Sequence, residues 1–203
     1  EVFFQKNQFR DEYFNHNELK KVGSIWQYRD IIADNVMFCE GATHSKNPWF
    51  SQIPIRPIKG ETLHCKCRTL ELTKRLIHHK KWILPYPDGS FRIGATYDEL
   101  DHDPVPTECG KKELLEAALE ALKKSHDIET ISHQAGIRPS TSDNKPIVGA
   151  HPDQRGLHLL NGLGSKGATS GPSMAKLLTE HILDESLIDT EVDLKRFIAS
   201  TDK

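Results

Sequence analysis

Two cations in the second half of the chain stand in settings that could do chemistry. Arg138 sits in Gly136-Ile137-Arg138-Pro139, and Lys166 lies inside a glycine-rich turn, Asn161-Gly162-Leu163-Gly164-Ser165-Lys166-Gly167. A guanidinium offers a planar fork of donors suited to a carboxylate, whereas an ammonium acts as a compact point charge. The alternatives are plain: Arg138 could cap carbonyls of its own proline-rich loop, and Lys166 could be a solvated loop charge. The turn is a second chemical device. Residues 168–183 have helical spacing, with Ala175, Leu178 and Ile182 on one face. A helix entered through glycines presents free backbone N–H groups and the positive end of its dipole, which favours an anion by up to ~2 kcal/mol in a partly buried geometry.

Other reactive side chains form no set. The chain has 11 histidines and 4 cysteines, yet no Ser-His-Asp or Cys-His arrangement can be assembled by spacing. His78-His79 beside Lys80-Lys81 reads as a solvated cationic run, and His44 as a loop residue. Cys39, Cys65, Cys67 and Cys109 lack the spacing of a disulfide framework or a zinc site. Cys65 and Cys67, at i and i+2, share one face of a strand. No metal site is expected.

Short strands must deliver the chemical groups. Gly136 to Gly149 reads as a loop, because its prolines and glycines oppose regular structure, with Ile147-Val148 opening a strand. Gly156 to Leu160 is a second strand running straight into the glycine turn. Residues 162–167 spell G-x-G-x-x-G, but a dinucleotide-binding half needs a βαβ unit and further strands after its glycines. One helix and a polar tail follow here, so the turn closes a domain. Upstream, residues 1–30 show the alternation of short antiparallel strands, and residues 31–41 read as one buried strand ending at Gly41. Glu61 to Cys67 and Lys81 to Leu84 are strand-like. Asp88-Gly89 between alternating flanks predicts a hairpin, with Pro85 and Pro87 confining its first arm to an edge or irregular strand. Residues 97–110 read as a polar loop. Lys111 to Lys124 is a helix with Leu114, Leu115, Ala118 and Leu122 on a stripe and Glu120 to Lys124 at ion-pair spacing, and it should cover an antiparallel sheet. Ile128 to Gln134 returns as a strand.

With 203 residues the chain can bury a real core, and its net charge of -2 gives no sign of a nucleic-acid or membrane-surface partner. No apolar run approaches a membrane span. Reduced thiols fit a cytoplasmic location.

The motifs taken together resemble a family. G-I-R-P-S-T-S-D-N-K-P-I-V-G followed by G-L-H-L-L-N-G-L-G-S-K-G-A-T-S-G-P is similar to the C-terminal signature of FAD-dependent oxidoreductases related to D-amino-acid oxidase, glycine oxidase and sarcosine oxidase. Ala33-Asp34-Asn35-Val36 through Gly41, Pro57-Ile58-Lys59-Gly60-Glu61, Pro85-Tyr86-Pro87-Asp88-Gly89 and Ile93-Gly94-Ala95-Thr96 resemble further family segments in the family's order. The resemblance implies oxidation of a C–N bond, with hydride passing from the amine-bearing carbon to the flavin. It implies that Arg138 and Lys166 bind the carboxylate of a small amine or amino acid. Gly41, Ala42, Gly162, Leu163, Gly164, Ser165, Lys166, Gly167, Ala168 and Thr169 would hold FAD. Family members begin with a G-x-G-x-x-G that cradles the FAD pyrophosphate, and Glu1-Val2-Phe3-Phe4-Gln5 has nothing of the kind. The expectation is therefore the C-terminal portion of a longer enzyme, inactive alone, whose partner is a missing N-terminal FAD-binding half.

The expected fold is α+β: an antiparallel substrate-domain sheet with one covering helix, plus remnants of a two-dinucleotide-type, Rossmann-like FAD-binding domain. Residues 1–53 would belong to the FAD-binding part, 54–135 to the substrate domain with helix 111–124, 136–185 to the C-terminal FAD-binding loop and helix, and 186–203 to a polar tail. Two rival readings stand: a non-catalytic α+β module that no longer binds cofactor, and the oxidoreductase half of a tRNA-modifying enzyme. The latter is suggested by Gly-Ser-Lys-Gly-Ala-Thr-Ser-Gly-Pro and opposed by the slightly acidic composition.

Overall fold

The computed structural model describes residues 9–67, 75–123 and 127–198. The first strands, β1 (Leu19–Val22), β2 (Ile25–Tyr28) and β3 (Ile31–Ala33), form an antiparallel meander. Its first turn uses Gly23 at φ 63°, a left-handed backbone that glycine adopts without cost. The expected single strand over 31–41 is instead two. β3 belongs to the meander and leaves Ile31 and Ile32 exposed. β4 (Val36–Phe38) joins a different sheet, in parallel with a strand from the far end of the chain. The apolar run suggested continuous burial, but the turn at Asp34-Asn35 redirects it.

After a 3-10 turn (Gly41–Lys46) comes β5 (Arg56–Cys67), then β6 (Ile77–His78), β7 (Trp82–Pro85) and β8 (Ser90–Gly94). The β7–β8 hairpin turns through Asp88-Gly89 as expected, with Gly89 at φ 81°. β7 is next to the edge rather than on it, because β6 pairs with Trp82 and Ile83. Pro85 lies beyond that pairing and so costs no ladder bond there. Helix α1 (Glu108–Leu122) starts earlier than expected, at the N-cap Thr107, whose hydroxyl accepts from the Gly110 N–H. Lys124 and the ion pair proposed for it lie outside the described residues; Glu120 meets Lys80 and His79.

The largest departure is β9 (Ile128–Ser140), which pairs antiparallel with β5 along its whole length. Residues 136–140 are thus the end of a 13-residue strand and not loop. Pro139 stands opposite Pro57, and two prolines facing each other lose nothing where paired residues point their N–H groups outward. The five-stranded sheet has the order β6-β7-β8-β5-β9, and α1 covers one face of it. Leu63, Cys65, Ile83, Phe91 and Ile93 of the sheet meet Leu114, Ala117 and Ala118 of the helix. Cys65 is buried there, which pushes its thiol up to about 11, and Cys67 packs against the same cluster.

A second core lies under the chain's end. β10 (Ile147–Ala150) and β11 (Leu157–Asn161) are antiparallel, and β11 pairs parallel with β4. Helix α2 (Gly167–Asp184) follows through a 3-10 turn, Gly164–Lys166. The stretch after it is more than a polar tail. Asp193 bridges to Val148, Leu194 is fully buried, and the short helix α3 (Lys195–Ile198) carries Arg196 onto Asp143 and the Lys145 and Pro146 carbonyls. No described helix is long and apolar enough to cross a membrane.

Candidate active site

The pleat of β5 sorts its residues onto two faces. Lys59, Glu61, Leu63 and Cys65 point to the α1 side. Ile58, Gly60 and Thr62 point to the other, opposite Arg138, Gly136 and Gln134 of β9, and Thr62 also faces Gly94 of β8. Three of these positions are glycines, so the second face is cleared of side chains. Arg138 fills part of that space. A Cβ on Gly60 would lie 2.1 Å from Arg138 Nη2 and 2.2 Å from Cζ and Nη1, so the guanidinium lies directly over the Gly60 backbone.

Among the described residues the partners of Arg138 are carbonyls only. Its Nη1 donates to Thr96 O at 3.2 Å and to Lys59 O at 3.4 Å. Burial pulls its pKa below the ordinary guanidinium value, with the Tyr97 hydroxyl acting in the opposite sense. A half-buried cation that meets no carboxylate among the described residues is a standing invitation to an anion. It looks into a cavity of about 380 Å³ walled by Trp82, Thr96, Tyr97, Ser165, Lys80 and Lys81, among others. Of the cationic run at 78–81, expected as a solvated surface feature, His78, His79 and Lys80 are exposed, and His78, Lys80 and Lys81 also border the cavity of Arg138.

What aims Arg138 lies on the opposite face of β5. Lys59 is buried, and its ammonium donates to Asp101 Oδ2 and Val105 O, both at 2.6 Å. Glu61, 3% exposed, accepts from the Thr107 N–H and hydroxyl and stands 2.7 Å from His133 Nε2. Its carboxylate sits at the N-terminus of α1, where the helix dipole favours it, and Gly110 leaves it room. The Glu61 N–H donates to Thr96 Oγ1, so the residue whose carbonyl receives Arg138 is itself held by β5. Sequence spacing contained this signal, since Lys59 and Glu61 at i and i+2 share a strand face. We expect Glu61→Leu to cost about 3 kcal/mol in urea unfolding, near the lower end for breaking a buried ion pair, because Asp101 still serves Lys59. A cost under about 0.5 kcal/mol, the ordinary surface range, would show that the 96–107 loop holds itself in place.

The glycine turns lie beside this cavity. Gly41 (φ 58°) and Gly164 (φ 53°) flank the Pro139-Ser140 corner of β9: a Cβ on Gly41 would meet only Pro139 Cγ at 3.9 Å, and one on Gly164 would meet nothing nearer than Ser140 Oγ at 3.6 Å. The space in front of both backbones is open. Asn161 Nδ2 donates to Gly41 O and ties the two turns together. Helix α2 has no side-chain N-cap. Other expected residues have different tasks. A Cβ on Gly162 would come within 2.7 Å of Thr141 Cγ2, so that glycine serves packing. Thr169 turns its hydroxyl back to Lys166 O, Gly167 lies against Leu163, and Lys166 and Ala168 are exposed. Ser165 lines the Arg138 cavity, while Leu163 and Lys166 border a neighbouring one of about 370 Å³ with Tyr97 and Ser165 in common. The structure thus brings Arg138 and Ser165 together and puts Lys166 one cavity away. His44, read as loop, is buried in the 3-10 turn after Gly41, where burial lowers its pKa against nearby backbone carbonyls of Phe50 and Ile53.

Comparison with known proteins places this geometry in context. A family model described as FAD dependent oxidoreductase matches residues 12–181. Glycine oxidase of Pseudomonas aeruginosa is 28% identical over 161 residues, which cover 78% of this chain and 44% of that protein. The tRNA 5-methylaminomethyl-2-thiouridine biosynthesis bifunctional protein MnmC of Marinobacter nauticus is 28% identical over 190 residues, 85% of this chain and 30% of that protein. The crystal structure of iminodiacetate oxidase from Chelativorans sp. BNC1 superposes with a TM-score of 0.73 at 27% identity, covering 89% of this chain and 51% of that one. The chain spans about half the length of these relatives, or less. Matched by the model over most of its residues and sharing the fold of these oxidases, the chain belongs to the FAD dependent oxidoreductase family.

Proposed function

We propose that this chain is the carboxyl-terminal, substrate-facing part of an FAD-dependent oxidoreductase that oxidises a C–N bond in a small amine or amino acid bearing a carboxylate. The observation that carries this reading is Arg138: a half-buried cation whose partners among the described residues are carbonyls alone, facing a cavity beside two open glycine turns. Relatives named for glycine and iminodiacetate oxidation support the substrate class.

The residues fit a flavin. Gly41, Ala42 and the 163–169 turn would hold it, because the Gly41 and Gly164 backbones are unobstructed and the first N–H groups of α2 have no side-chain cap. When bound, the flavin supplies the two-electron oxidant for the carbon that carries the amine. The chain's own part is positional. Arg138 grips the carboxylate, Gly60 and Gly136 leave the strand surface free for the substrate, and Trp82 and Tyr97 line the cavity beside it. Lys166 is assigned a supporting electrostatic role from the neighbouring cavity that it borders, and a cytoplasmic location fits the four free cysteines.

The test is spectroscopic. The natural gene product carrying this sequence should purify with a flavin absorption band that bleaches anaerobically on addition of glycine, sarcosine or iminodiacetate. A colourless protein, or a band that no carboxylated amine bleaches, overturns the reading. The match to the tRNA 5-methylaminomethyl-2-thiouridine biosynthesis bifunctional protein favours a second reading, an amine carried on a nucleoside, which the same assay can include.

A further inference from the structure

The cavity of Arg138 and its neighbour of about 370 Å³ meet at Tyr97 and Ser165, which line both. Arg138 borders the first cavity and the Leu163-Gly164 backbone the second, where the space in front of Gly164 is open. An amine whose carboxylate is held on Arg138 therefore passes between Tyr97 and Ser165 to bring its nitrogen toward the glycine turn. Of the two, Tyr97 carries the bulk. It is 54% exposed, and its hydroxyl makes no hydrogen bond among the described residues, so the ring enters the passage as volume. It stands close to the anchor: Thr96 O, on the preceding residue, accepts from Arg138 Nη1, and the Tyr97 hydroxyl acts on the charge of Arg138. The backbone under the ring cannot retreat. The Thr96 N–H donates to Glu61 O at 3.2 Å, the Glu61 N–H donates to Thr96 Oγ1 at 2.8 Å, and Asp98 exchanges backbone hydrogen bonds with Lys59 at 2.8 and 3.0 Å. Tyr97 is thus clamped through both neighbours against β5, and only its side-chain torsions stay free.

We propose that Tyr97 is the specificity-determining residue of this site: with Ser165 it forms a passage that admits amines bearing a slim nitrogen substituent, such as hydrogen, methyl or carboxymethyl, and turns away a bulky one. The inference rests on the reading of Arg138 as the carboxylate anchor and narrows the substrate class that follows from it. A substituent of ring size meets Tyr97 over a backbone that does not yield, and it reaches the glycine turn only by giving up the contact to Arg138. An amine carried on a nucleoside is disfavoured for the same reason.

The 203-residue chain is titrated with sarcosine and with N-benzylglycine, which share the carboxylate and differ in the nitrogen substituent. Binding is followed at the indole N–H signal of Trp82, a lining residue of the Arg138 cavity, assigned with Trp82→Phe. Sarcosine is expected to bind about 10-fold more tightly, the low end of the discrimination that a misfit of one methylene produces in a pocket. Tyr97→Ala should erase this preference through tighter binding of N-benzylglycine, whereas Tyr97→Phe, which keeps the ring, should preserve it. The exposed ring can be removed at little cost to folding, so the variants stay comparable. Equal binding of the two ligands by the unchanged chain overturns the filter while the Arg138 anchor stands. So does a preference that survives Tyr97→Ala, that Tyr97→Phe abolishes, or that disappears only because sarcosine is lost. If sarcosine does not bind, or binds as well after Arg138→Met, the anchor fails and takes the inference with it.

Discussion

Replacing Arg138 with methionine is expected to weaken carboxylate binding to this chain by about 100-fold, the upper part of the range for hydrogen bonds to a charged group, while leaving the protein at least as stable as before. Both halves follow from the same geometry. The guanidinium is partly desolvated, its pKa is lowered by burial, and it meets no carboxylate among the described residues. Its removal therefore strands no counter-charge. Lys59 O keeps a hydrogen bond from the Asp98 N–H, and the methionine chain retains much of the apolar stem. Propionate titration and thermal unfolding, measured side by side, decide the matter. Unchanged binding would remove Arg138 from the site. A drop in midpoint of several degrees would return it to the structural reading, in which it ties down Thr96 and Lys59.

Gly60→Ala should reproduce most of that loss without replacing any ligand-binding side chain. The new methyl group would fall within 2.1–2.2 Å of three guanidinium atoms, so the group must move. What yields is the far end of a flexible side chain rather than backbone, and the damage is functional. Folding stability should hold or rise by about 0.4–1 kcal/mol, the usual gain when alanine replaces glycine in a backbone it can adopt. The stronger expectation concerns the double variant. If Gly60 acts only by aiming Arg138, then Gly60→Ala in the Arg138→Met background has almost no further effect on binding, a large departure from additivity. Additive losses would show that the alanine methyl simply occupies ligand space.

Much of the architecture was legible because its signals are local. Asp88-Gly89 specifies a tight turn by backbone conformation alone, and the β7–β8 hairpin forms there. The Leu114, Ala118 and Leu122 stripe specifies a helix by period, and α1 buries it on the sheet. The glycine turn after β11 and the helix that follows are where chain order puts them. Arg138 stood out by its neighbours Gly136 and Pro139, and the structure sets it in a cavity.

What the sequence by itself determined about this protein is therefore its punctuation and its periodic elements. Tertiary structure alone decided three other things. It carried β9 through Pro139, because that proline faces Pro57 on a strand 82 positions earlier. It divided residues 31–41 between two sheets, because the partner of β4 is β11, more than a hundred residues away. It brought Lys80 and Lys81 to the cavity of Arg138, since the β7–β8 hairpin and β9 both pair with the same sheet around β5. Spacing along the chain reports which face of one element a residue occupies. Which faces meet depends on strand pairings between distant segments, set by burial and hydrogen bonding over the whole fold.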